Sequence, residues 1–289
     1  MRNVFARAKS VAISLVLGVF LSACSGEGGD FTNPSDDEST TLSGAEGQES
    51  SSGVTLSGAS AELNGARSSS SVILATPCKT ETEDNCEYGT LLDDRDGQVY
   101  KTVKIGVQWW MAENLNFETE NSWCGGGHFT TEGDCSVYGR LYTWAAAMGK
   151  SEEECGVDHD CISLGAGNVR GVCPDGWHVP KLGEWDYLID AVGGWFTAGQ
   201  KLKAQTGWKI PYGGITIEDA YGFAALPAGS KDWDDGLYAD WRFRTDFWSA
   251  TQGREDAAYG ADLPYYDGSM YTCFYYYKAF GYSVRCVKD

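Results

Sequence analysis

The spacing of apolar residues after position 96 predicts a strand at the start of the globular region. An Asp96–Gly97 turn precedes Val99, Val103 and Ile105, which recur at alternate-position spacing. This period is typical of a half-buried strand, because successive side chains of a strand point to opposite faces. The segment QVYKTVKIG (98–106) is therefore predicted to be a strand or the edge of a hairpin.

Two segments place their apolar residues on one helical face. SVYGRLYTWAAAMG (136–149) does so up to Gly149, and LGEWDYLIDAVGG (182–194) does so up to its two final glycines. The first face consists of Leu141, Trp144, Ala145 and Met148, and the second of Leu182, Trp185, Leu188, Ile189 and Val192. The rest of the chain is rich in loops and short strand-like segments. The predicted fold class is therefore α+β with two helices, and not a parallel α/β sheet.

Residues 1–23 have the pattern of a signal peptide. A basic start precedes the apolar run Val11–Leu21, which is too short to span a bilayer. Leu21–Cys24 (LSAC) looks like the lipobox of a bacterial lipoprotein, in which the chain is cut before the cysteine and the cysteine is acylated. This resemblance implies attachment to a membrane through lipid on Cys24, and Ser25 favours the outer membrane. The alternative is an ordinary secretory signal with a chance cysteine.

The composition changes twice along the chain. Residues 24–87 are rich in Gly, Ser, Thr, Asp and Glu, whereas every Trp and Tyr lies between Tyr88 and Tyr282. A segment with no Trp or Tyr and few other large apolar side chains cannot bury enough apolar surface to offset the entropy of its own ordering. We therefore expect residues 24–87 to be a disordered tether and residues 88–289 to be one globular domain.

The charge balance excludes one class of partner. The chain has 41 acidic and 22 basic residues, for a formal net charge of −19. Nucleic acid binding requires a basic face for the phosphates, so no nucleic acid partner is expected. The same acidity argues against electrostatic docking to anionic lipid.

The cysteines of an exported protein are expected to form disulfides. Of the ten cysteines, Cys24 is reserved for lipid. Near-neighbour spacing suggests the local pairs Cys78–Cys86, Cys124–Cys135 and Cys155–Cys161. Cys173 and Cys286 would then form a long-range closure and Cys273 would be left over. Spacing alone does not fix the connectivity.

Six ordered motifs between residues 93 and 289 resemble one known family, the Fibrobacter succinogenes major paralogous domain of exported bacterial proteins. The motifs are DGQVYKTVKIGVQWWMAENLN, YGRLYTWAAAM, CPDGWHVPKLGEWDYL, YGFAALPAGS, FWSAT and YSVRCVKD. The family brings no established activity, so the resemblance bears on the fold and not on the function.

A more distant resemblance links W-x-V-P-x-x-x-E-W-x-x-L and the late V-R-C-V to the C-type-lectin-like fold and to the formylglycine-generating enzymes. It implies a domain with short antiparallel strands, paired N- and C-terminal strands, and long disulfide-stapled loops that carry any binding site. In this fold a cysteine near a helix commonly bonds one in the last strand, which supports Cys173–Cys286.

Enzyme activity is not expected. The formylglycine-generating relatives use a pair of reactive cysteines, whereas this chain offers only Cys273 in the corresponding region. No nucleophile elbow, phosphate loop or dinucleotide fingerprint occurs. No cofactor or metal site is predicted either, although the loop with Asp232, Asp234, Asp235 and Asp240 leaves calcium open.

The aromatic residues separate into two groups. Those within the shared motifs are predicted to form the core: Trp110, Trp144, Trp177, Trp185 and Trp248. Others fall in loop-like stretches: Trp195, Trp208, Trp233, Trp241, Tyr212, Tyr265 and Tyr266. Exposed rings beside carboxylates suit carbohydrate recognition. The candidates for ligand binding are Trp208, Trp233, Trp241, Asp234 and Asp235; the alternative is that these rings fill a second core.

Three hypotheses for function follow. The first is a non-catalytic binding or adhesion module on the cell surface, with plant polysaccharide as the ligand considered. The second is a structural protein of the cell envelope that binds other proteins. The third is an enzyme of the formylglycine-generating type. It is the least favoured of the three, because Cys273 alone cannot replace a pair of reactive cysteines.

Overall fold

The structure, a computed structural model, describes residues 72–161, 164, 167–210, 214–272 and 274–289. All of them belong to one compact unit, Ser68–Asp289. The signal peptide, Cys24, Tyr212 and Cys273 lie outside the described residues.

Thirteen strands and five helices are present in this part of the chain. The strands are β1 (Tyr88–Leu92), β2 (Val99–Ile105), β3 (Gln108–Met111), β4 (Ser122–Cys124), β5 (Arg140–Tyr142), β6 (Trp177–His178), β7 (Ser230–Lys231), β8 (Tyr238–Ala239), β9 (Arg244–Arg254), β10 (Ala257–Pro264), β11 (Tyr275–Tyr277), β12 (Tyr282–Ser283) and β13 (Val287–Lys288). The helices are α1 (Cys135–Tyr138), α2 (Trp144–Ala147), α3 (Glu152–Cys155), α4 (Leu182–Ala191) and α5 (Trp195–Leu202). This content establishes the α+β class.

The strands form two larger sheets and one hairpin. Their orders are β1-β2-β3-β13-β6, β11-β10-β9-β12-β5-β4 and β7-β8. The last strand, β13, joins the sheet of β1 but pairs with β3 and β6. Strand β9 is longer than expected, and it runs parallel to β12 at Ser283↔Phe247. The expected pattern of short, antiparallel strands therefore holds only in part.

The predicted hairpin is present. Strand β1 pairs with β2 in register from Tyr88↔Val103 to Leu92↔Val99. The turn closes where Gly97 N–H donates to Asp93 O over 2.8 Å, and Gly97 has φ 78°, a conformation that favours glycine. Arg95 donates to both carboxylate oxygens of Asp93.

One of the two predicted helices is wrong. Residues 136–149 do not form one helix, because Gly139 has φ 67° and Leu141 and Tyr142 pair with β12 instead. Only the single turn α2 follows, capped by the Thr143 side chain, which accepts from Ala146 N–H. The second predicted helix is confirmed as α4. Helix α5, immediately after Gly193 and Gly194, was not predicted.

The core is built on the tryptophans of the shared motifs. Trp110, Trp144, Trp177, Trp185 and Trp248 are all buried, as predicted. The rings of Trp110 and Trp185 lie 4.8 Å apart between centroids, and Trp185 stacks on Phe247 at 5.5 Å. Helix α4 therefore packs its apolar face against both larger sheets.

Four disulfides join the eight cysteines of the described residues, so the expectation of disulfide bonds is confirmed. The pairs are Cys78–Cys86, Cys124–Cys135, Cys155–Cys161 and Cys173–Cys286. The last pair connects the segment before β6 to the segment before β13, over a sequence separation of 113.

The packed domain begins before Tyr88. Ala75 N–H donates to Ala191 O, Cys78 N–H donates to Ala220 O, and Lys79 forms an ion pair with buried Asp219. The expected tether, drawn to residue 87, is therefore too long at its C-terminal end. Composition missed this, because backbone hydrogen bonds and a disulfide hold the segment in place instead of large apolar side chains.

Within the described residues, no helix is long and apolar enough to cross a membrane.

Candidate ligand-binding surface

Strand β11 carries three consecutive tyrosines at the edge of the six-stranded sheet. Tyr276 packs 5.2 Å from the ring of Tyr282, and its hydroxyl accepts from Arg244 Nη2 over 3.0 Å. Since side chains alternate along a strand, Tyr275 and Tyr277 share the opposite face. An edge strand with one aromatic face offers a ligand direct access to those rings.

Two further rings extend this face. The Trp233 ring lies 4.9 Å from Tyr277, and the Tyr259 ring lies 5.7 Å from Tyr275. We call Trp233, Tyr259, Tyr275 and Tyr277 the aromatic strip. Trp233 and Tyr275 are exposed by 52% and 43%, and the other two are half-buried. The strip is therefore a row of partly exposed rings that are supported from one side.

The β7–β8 hairpin delivers Trp233 to the strip. Lys231 and Gly281 exchange both backbone hydrogen bonds, at 3.0 and 2.9 Å, so β7 is joined to the chain just after β11. The turn of the hairpin is held by its own acids. Asp232 Oδ1 accepts from Asp234 N–H, and Asp235 Oδ1 accepts from Leu237 N–H.

The other end of the strip is shaped by a glycine and an arginine. The Arg254 guanidinium lies 4.7 Å from the centroid of the Tyr275 ring, in cation–π geometry. A Cβ on Gly253 would approach Tyr275 Cβ to 3.2 Å. Glycine at this position therefore leaves room for the Tyr275 side chain to lie on the sheet.

A buried charge cluster anchors the reverse face of β11. Arg244 pairs with Asp246 at 3.0 Å, and Asp262 Oδ1 lies 2.9 Å from Arg244 Nε. Burial raises the pKa of Asp262 to about 6, and burial together with the charge of Asp262 raises the pKa of Asp246. Two acids thus face one arginine, which in turn holds Tyr276.

Trp208 does not belong to the candidate site. Its side chain is 7% exposed, and its indole N–H donates to Ala225 O over 3.0 Å. The Lys203 ammonium lies 5.1 Å from the centroid of its ring. A loop-like sequence context suggested exposure, but the bridge between Lys203 and Ala225 folds this loop onto the core. Trp208 is a core residue.

Trp241 lies in a different cluster from Trp233. Its half-buried ring is 6.3 Å from His128, and the Arg242 guanidinium lies 5.8 Å from its centroid. His128 contacts Phe129 at 4.3 Å. The structure therefore places Trp233, Trp241 and Trp208 in three separate surroundings, and of these three only Trp233 belongs to the strip.

The remaining loop aromatics form two further groups. Trp195 contacts Phe196 at 5.5 Å and Tyr271 at 5.8 Å, whereas Tyr265 lies 5.7 Å from Tyr266. Asp234 and Asp235 are exposed beside Trp233. These two acidic candidates directly follow Trp233 of the strip in sequence.

The acidic loop does not assemble a calcium site. Among the described residues, no group of three or more His, Cys, Asp or Glu side chains could hold a metal ion. Asp232 and Asp235 instead accept hydrogen bonds from their own loop. Asp232, Asp234 and Asp235 lie along the β7–β8 turn, whereas Asp240 follows β8.

Sequence analysis missed Tyr259, Tyr275 and Tyr277. The segment MYTCFYYYKAF was predicted to be strand-like, but its tyrosines were not among the candidates for ligand binding. The available signal was the run Tyr275–Tyr277, since any strand with three consecutive tyrosines presents two of them on one face. That this strand is an edge strand could not be read from the run.

His178 is a buried residue whose two ring nitrogens both contact carboxylates of the protein. It is 2% exposed, its Nδ1 lies 2.6 Å from Asp289 Oδ1, and its Nε2 lies 3.0 Å from Glu184 Oε1. Burial alone would lower the pKa of His178, but the hydrogen bonds and charges of Glu184 and Asp289 raise it. The cluster joins β6, the start of α4 and the end of the described chain.

The fold and the strip define an α+β, disulfide-linked domain with an aromatic surface at a sheet edge. The family model described as Fibrobacter succinogenes major domain matches residues 103–288, and the chain belongs to this family. The comparisons with curated proteins and with solved structures found no match.

Proposed function

We propose that this protein is a non-catalytic binding module that holds plant polysaccharide at the cell surface through the aromatic strip. The observation that carries the proposal is the row of partly exposed rings, Trp233–Tyr277 and Tyr275–Tyr259, on one face of the edge strand. Aromatic rings bind the apolar face of a sugar ring, and the neighbouring exposed carboxylates of Asp234 and Asp235 accept its hydroxyl hydrogens.

The N-terminal sequence supports the location of this module. Acylation of Cys24 after cleavage of residues 1–23 would attach the chain to the outer membrane. The fold is of the C-type-lectin-like type. This assignment is supported by helix α4 directly after the W-x-V-P motif and by the Cys173–Cys286 disulfide next to the last strand.

The proposal is tested by retention of the full chain on insoluble cellulose, xylan and a plant cell-wall fraction. We expect retention on at least one of them, and weakening by about tenfold or more in Trp233→Ala and in Tyr277→Ala. Trp195→Ala is the matched control, since Trp195 is 50% exposed but lies outside the strip. No retention on any of the three, or equal loss in the control, overturns the proposal.

A second candidate function, a structural role in the envelope through protein contacts, is favoured by a different surface. Phe196, Trp195, Tyr271 and Phe274 form a continuous series of ring contacts, and Phe196 and Phe274 are 71% and 54% exposed. Exposed apolar patches commonly mark protein interfaces. Crosslinking in intact cells that captures envelope proteins in a Phe196-dependent manner, without polysaccharide retention, identifies this function.

A further inference from the structure

A groove separate from the aromatic strip lies beside the start of β2 and helix α1. Two adjoining cavities of about 590 and 420 Å³ share Gln98, Asn116 and Cys135 in their walls. The larger cavity is within the range of small-molecule sites. Its walls come from the start of β2, the segment after β3, helix α1, and residues 204–206 after α5.

The walls of the groove are fixed by covalent and backbone links. The Cys124–Cys135 disulfide ties α1 to β4. Ala204 N–H donates to Ala225 O over 2.9 Å, which positions the opposite wall. The groove is therefore present before any ligand arrives, which reduces the entropic cost of binding.

Side-chain amides form the centre of the groove. Asn116 Nδ2 donates to Gln98 Oε1 over 2.9 Å, and Gln98 Nε2 donates to Asn116 O over 3.0 Å. Asn116 Oδ1 is buried and has no hydrogen-bond partner among the described residues. A buried acceptor without a partner is costly, and a hydroxyl donor from a ligand would satisfy it.

Two basic side chains of the groove are in ion pairs, and a third lies against a ring. Lys79 forms an ion pair with Asp219, and Arg140 pairs with Glu118 at 3.0 Å. The Lys101 ammonium lies 3.5 Å from the centroid of the Tyr88 ring. A charged ligand would have to compete with these contacts, so the groove suits an uncharged ligand with many hydroxyls.

The backbone of β2 in the groove cannot accept an added peptide strand at Lys101. Lys101 N–H donates to Glu113 Oε2 over 2.6 Å, and Lys101 O accepts from Ala112 N–H over 2.8 Å. Binding of an extended peptide by strand addition needs free main-chain groups. A ligand of the groove is therefore not bound by strand addition at Lys101, and side chains have to provide its contacts.

From this geometry we propose that the groove binds a single chain of an uncharged oligosaccharide, with Asn116 Oδ1 accepting one of its hydroxyl groups. The groove shares no residue with the aromatic strip, so the proposal is independent of the proposed function. The strip offers rings to a flat surface, whereas the groove encloses one chain.

The test uses the full chain with cellohexaose and xylohexaose as neutral probes, a galacturonic acid hexamer as a charged probe and a Gly-Ser hexapeptide. Calorimetry measures affinity, and NMR follows the side-chain amide signals of Gln98 and Asn116. We expect at least one neutral hexasaccharide to bind and to shift both amide signals. Binding of only the charged sugar or only the peptide overturns the proposal, as does the absence of binding by every probe.

Two substitutions on opposite walls block the groove without removing a described hydrogen bond. Val137→Trp and Thr206→Trp are each expected to weaken binding by about tenfold or more. Val137 is 51% exposed, and Val107, 60% exposed in the β2–β3 turn, supplies the control Val107→Trp. Equal weakening by the control overturns the proposal. Trp233→Ala is expected to leave groove binding unchanged, which distinguishes failure of this site from failure of the strip.

Discussion

The rings of Trp233 and Tyr277 lie 4.9 Å apart, although one belongs to the turn of the β7–β8 hairpin and the other to the edge strand β11. The two backbone hydrogen bonds between Lys231 and Gly281 create this proximity. A short hairpin thus adds an indole to a face that the sheet itself supplies only with tyrosines.

Because side chains alternate along β11, replacing Tyr277 is expected to affect mainly binding, and replacing Tyr276 mainly stability. Tyr277→Ala is expected to weaken polysaccharide retention while lowering the free energy of unfolding by about 1 kcal/mol or less, the value of an aromatic pair. Tyr276→Ala is expected to cost about 3 kcal/mol, because it removes packing against Tyr282 and an acceptor for Arg244. Urea unfolding and retention assays measure both. Equal destabilisation by the two substitutions would contradict the assigned faces.

Replacing Trp208 and replacing Trp195 by alanine are expected to change the stability of the protein by different amounts. Trp208→Ala should lower the free energy of unfolding by about 3–5 kcal/mol, because it leaves a cavity and an unpaired Ala225 carbonyl. Trp195→Ala, at an exposed position, should change it by about 1 kcal/mol or less. Thermal and urea unfolding of both variants decide this. A mild effect of Trp208→Ala would return Trp208 to the list of exposed candidates.

The loss of stability on removing a disulfide should increase with the length of chain that the disulfide closes into a loop. The Cys173→Ala/Cys286→Ala variant is expected to lose about 5 kcal/mol, since the sequence separation is 113. The Cys155→Ala/Cys161→Ala variant, with a separation of 6, should lose about 2 kcal/mol. Both pairs are buried, so the alanine replacements are comparable. Denaturant unfolding that shows the larger loss for the short loop would contradict the entropic account.

The buried pair Asp246 and Asp262 predicts that stability falls as pH rises. The pKa of Asp262 is raised to about 6, so its protonated form is favoured in the folded state and its contribution is lost as pH rises from about 4 through 6. Asp262→Asn should be more stable than the parent at pH 8 by about 2–3 kcal/mol, since one unit of pKa shift corresponds to about 1.4 kcal/mol. At pH 4 the two should be alike.

Asp94→Asn, at an exposed turn position, is the control for this comparison. Urea unfolding at pH 4, 6 and 8 provides the measurement. A loss of stability in Asp262→Asn at pH 8 would show that the second carboxylate is needed by Arg244.

His178 predicts a second pH-dependent contribution with its own window. Burial opposes its protonation, but Glu184 and Asp289 raise its pKa above 6.5. The stabilisation of the folded state by protonated His178 is therefore fully present below pH 6.5. It is lost as the pH rises through the raised pKa of His178. The lowered pKa of Glu184 sets the other limit, because its stabilisation is lost as pH falls below about 4.5.

NMR titration of the His178 ring measures its pKa directly, and unfolding of His178→Gln tests its contribution to stability. The variant should lose the pH dependence above pH 6.5, whereas His128→Gln, at an exposed position, should keep it. A ring pKa below 6.5 would show that burial outweighs the two carboxylates.

Local sequence determined much of the framework. The Asp96–Gly97 turn, the strand after it and helix α4 were predictable, because their periodicity and turn chemistry act within a few residues. The five core tryptophans were predictable because they occur at apolar positions of the shared motifs. The α+β class followed from the same patterns.

Tertiary structure overrode local pattern in two places. Residues 136–149 have a helical pattern, but β12 pairs with Leu141 and Tyr142, and its partner residues lie at the far end of the chain. Residues 75–86 have the composition of a tether, but hydrogen bonds to Ala191 and Ala220 hold them on the domain. Pairing between distant segments leaves no trace in the spacing of either segment.

The candidate site divides in the same way. The sequence by itself determined that Trp233 stands in a polar, acidic turn and that residues 275–277 are tyrosines of a strand. Only the tertiary structure decided that this strand lies at a sheet edge, that Trp233 joins its outer face, and that Trp208 is buried. Exposure depends on which distant segments cover a residue, and that is settled by packing rather than by the neighbours of the residue in the chain.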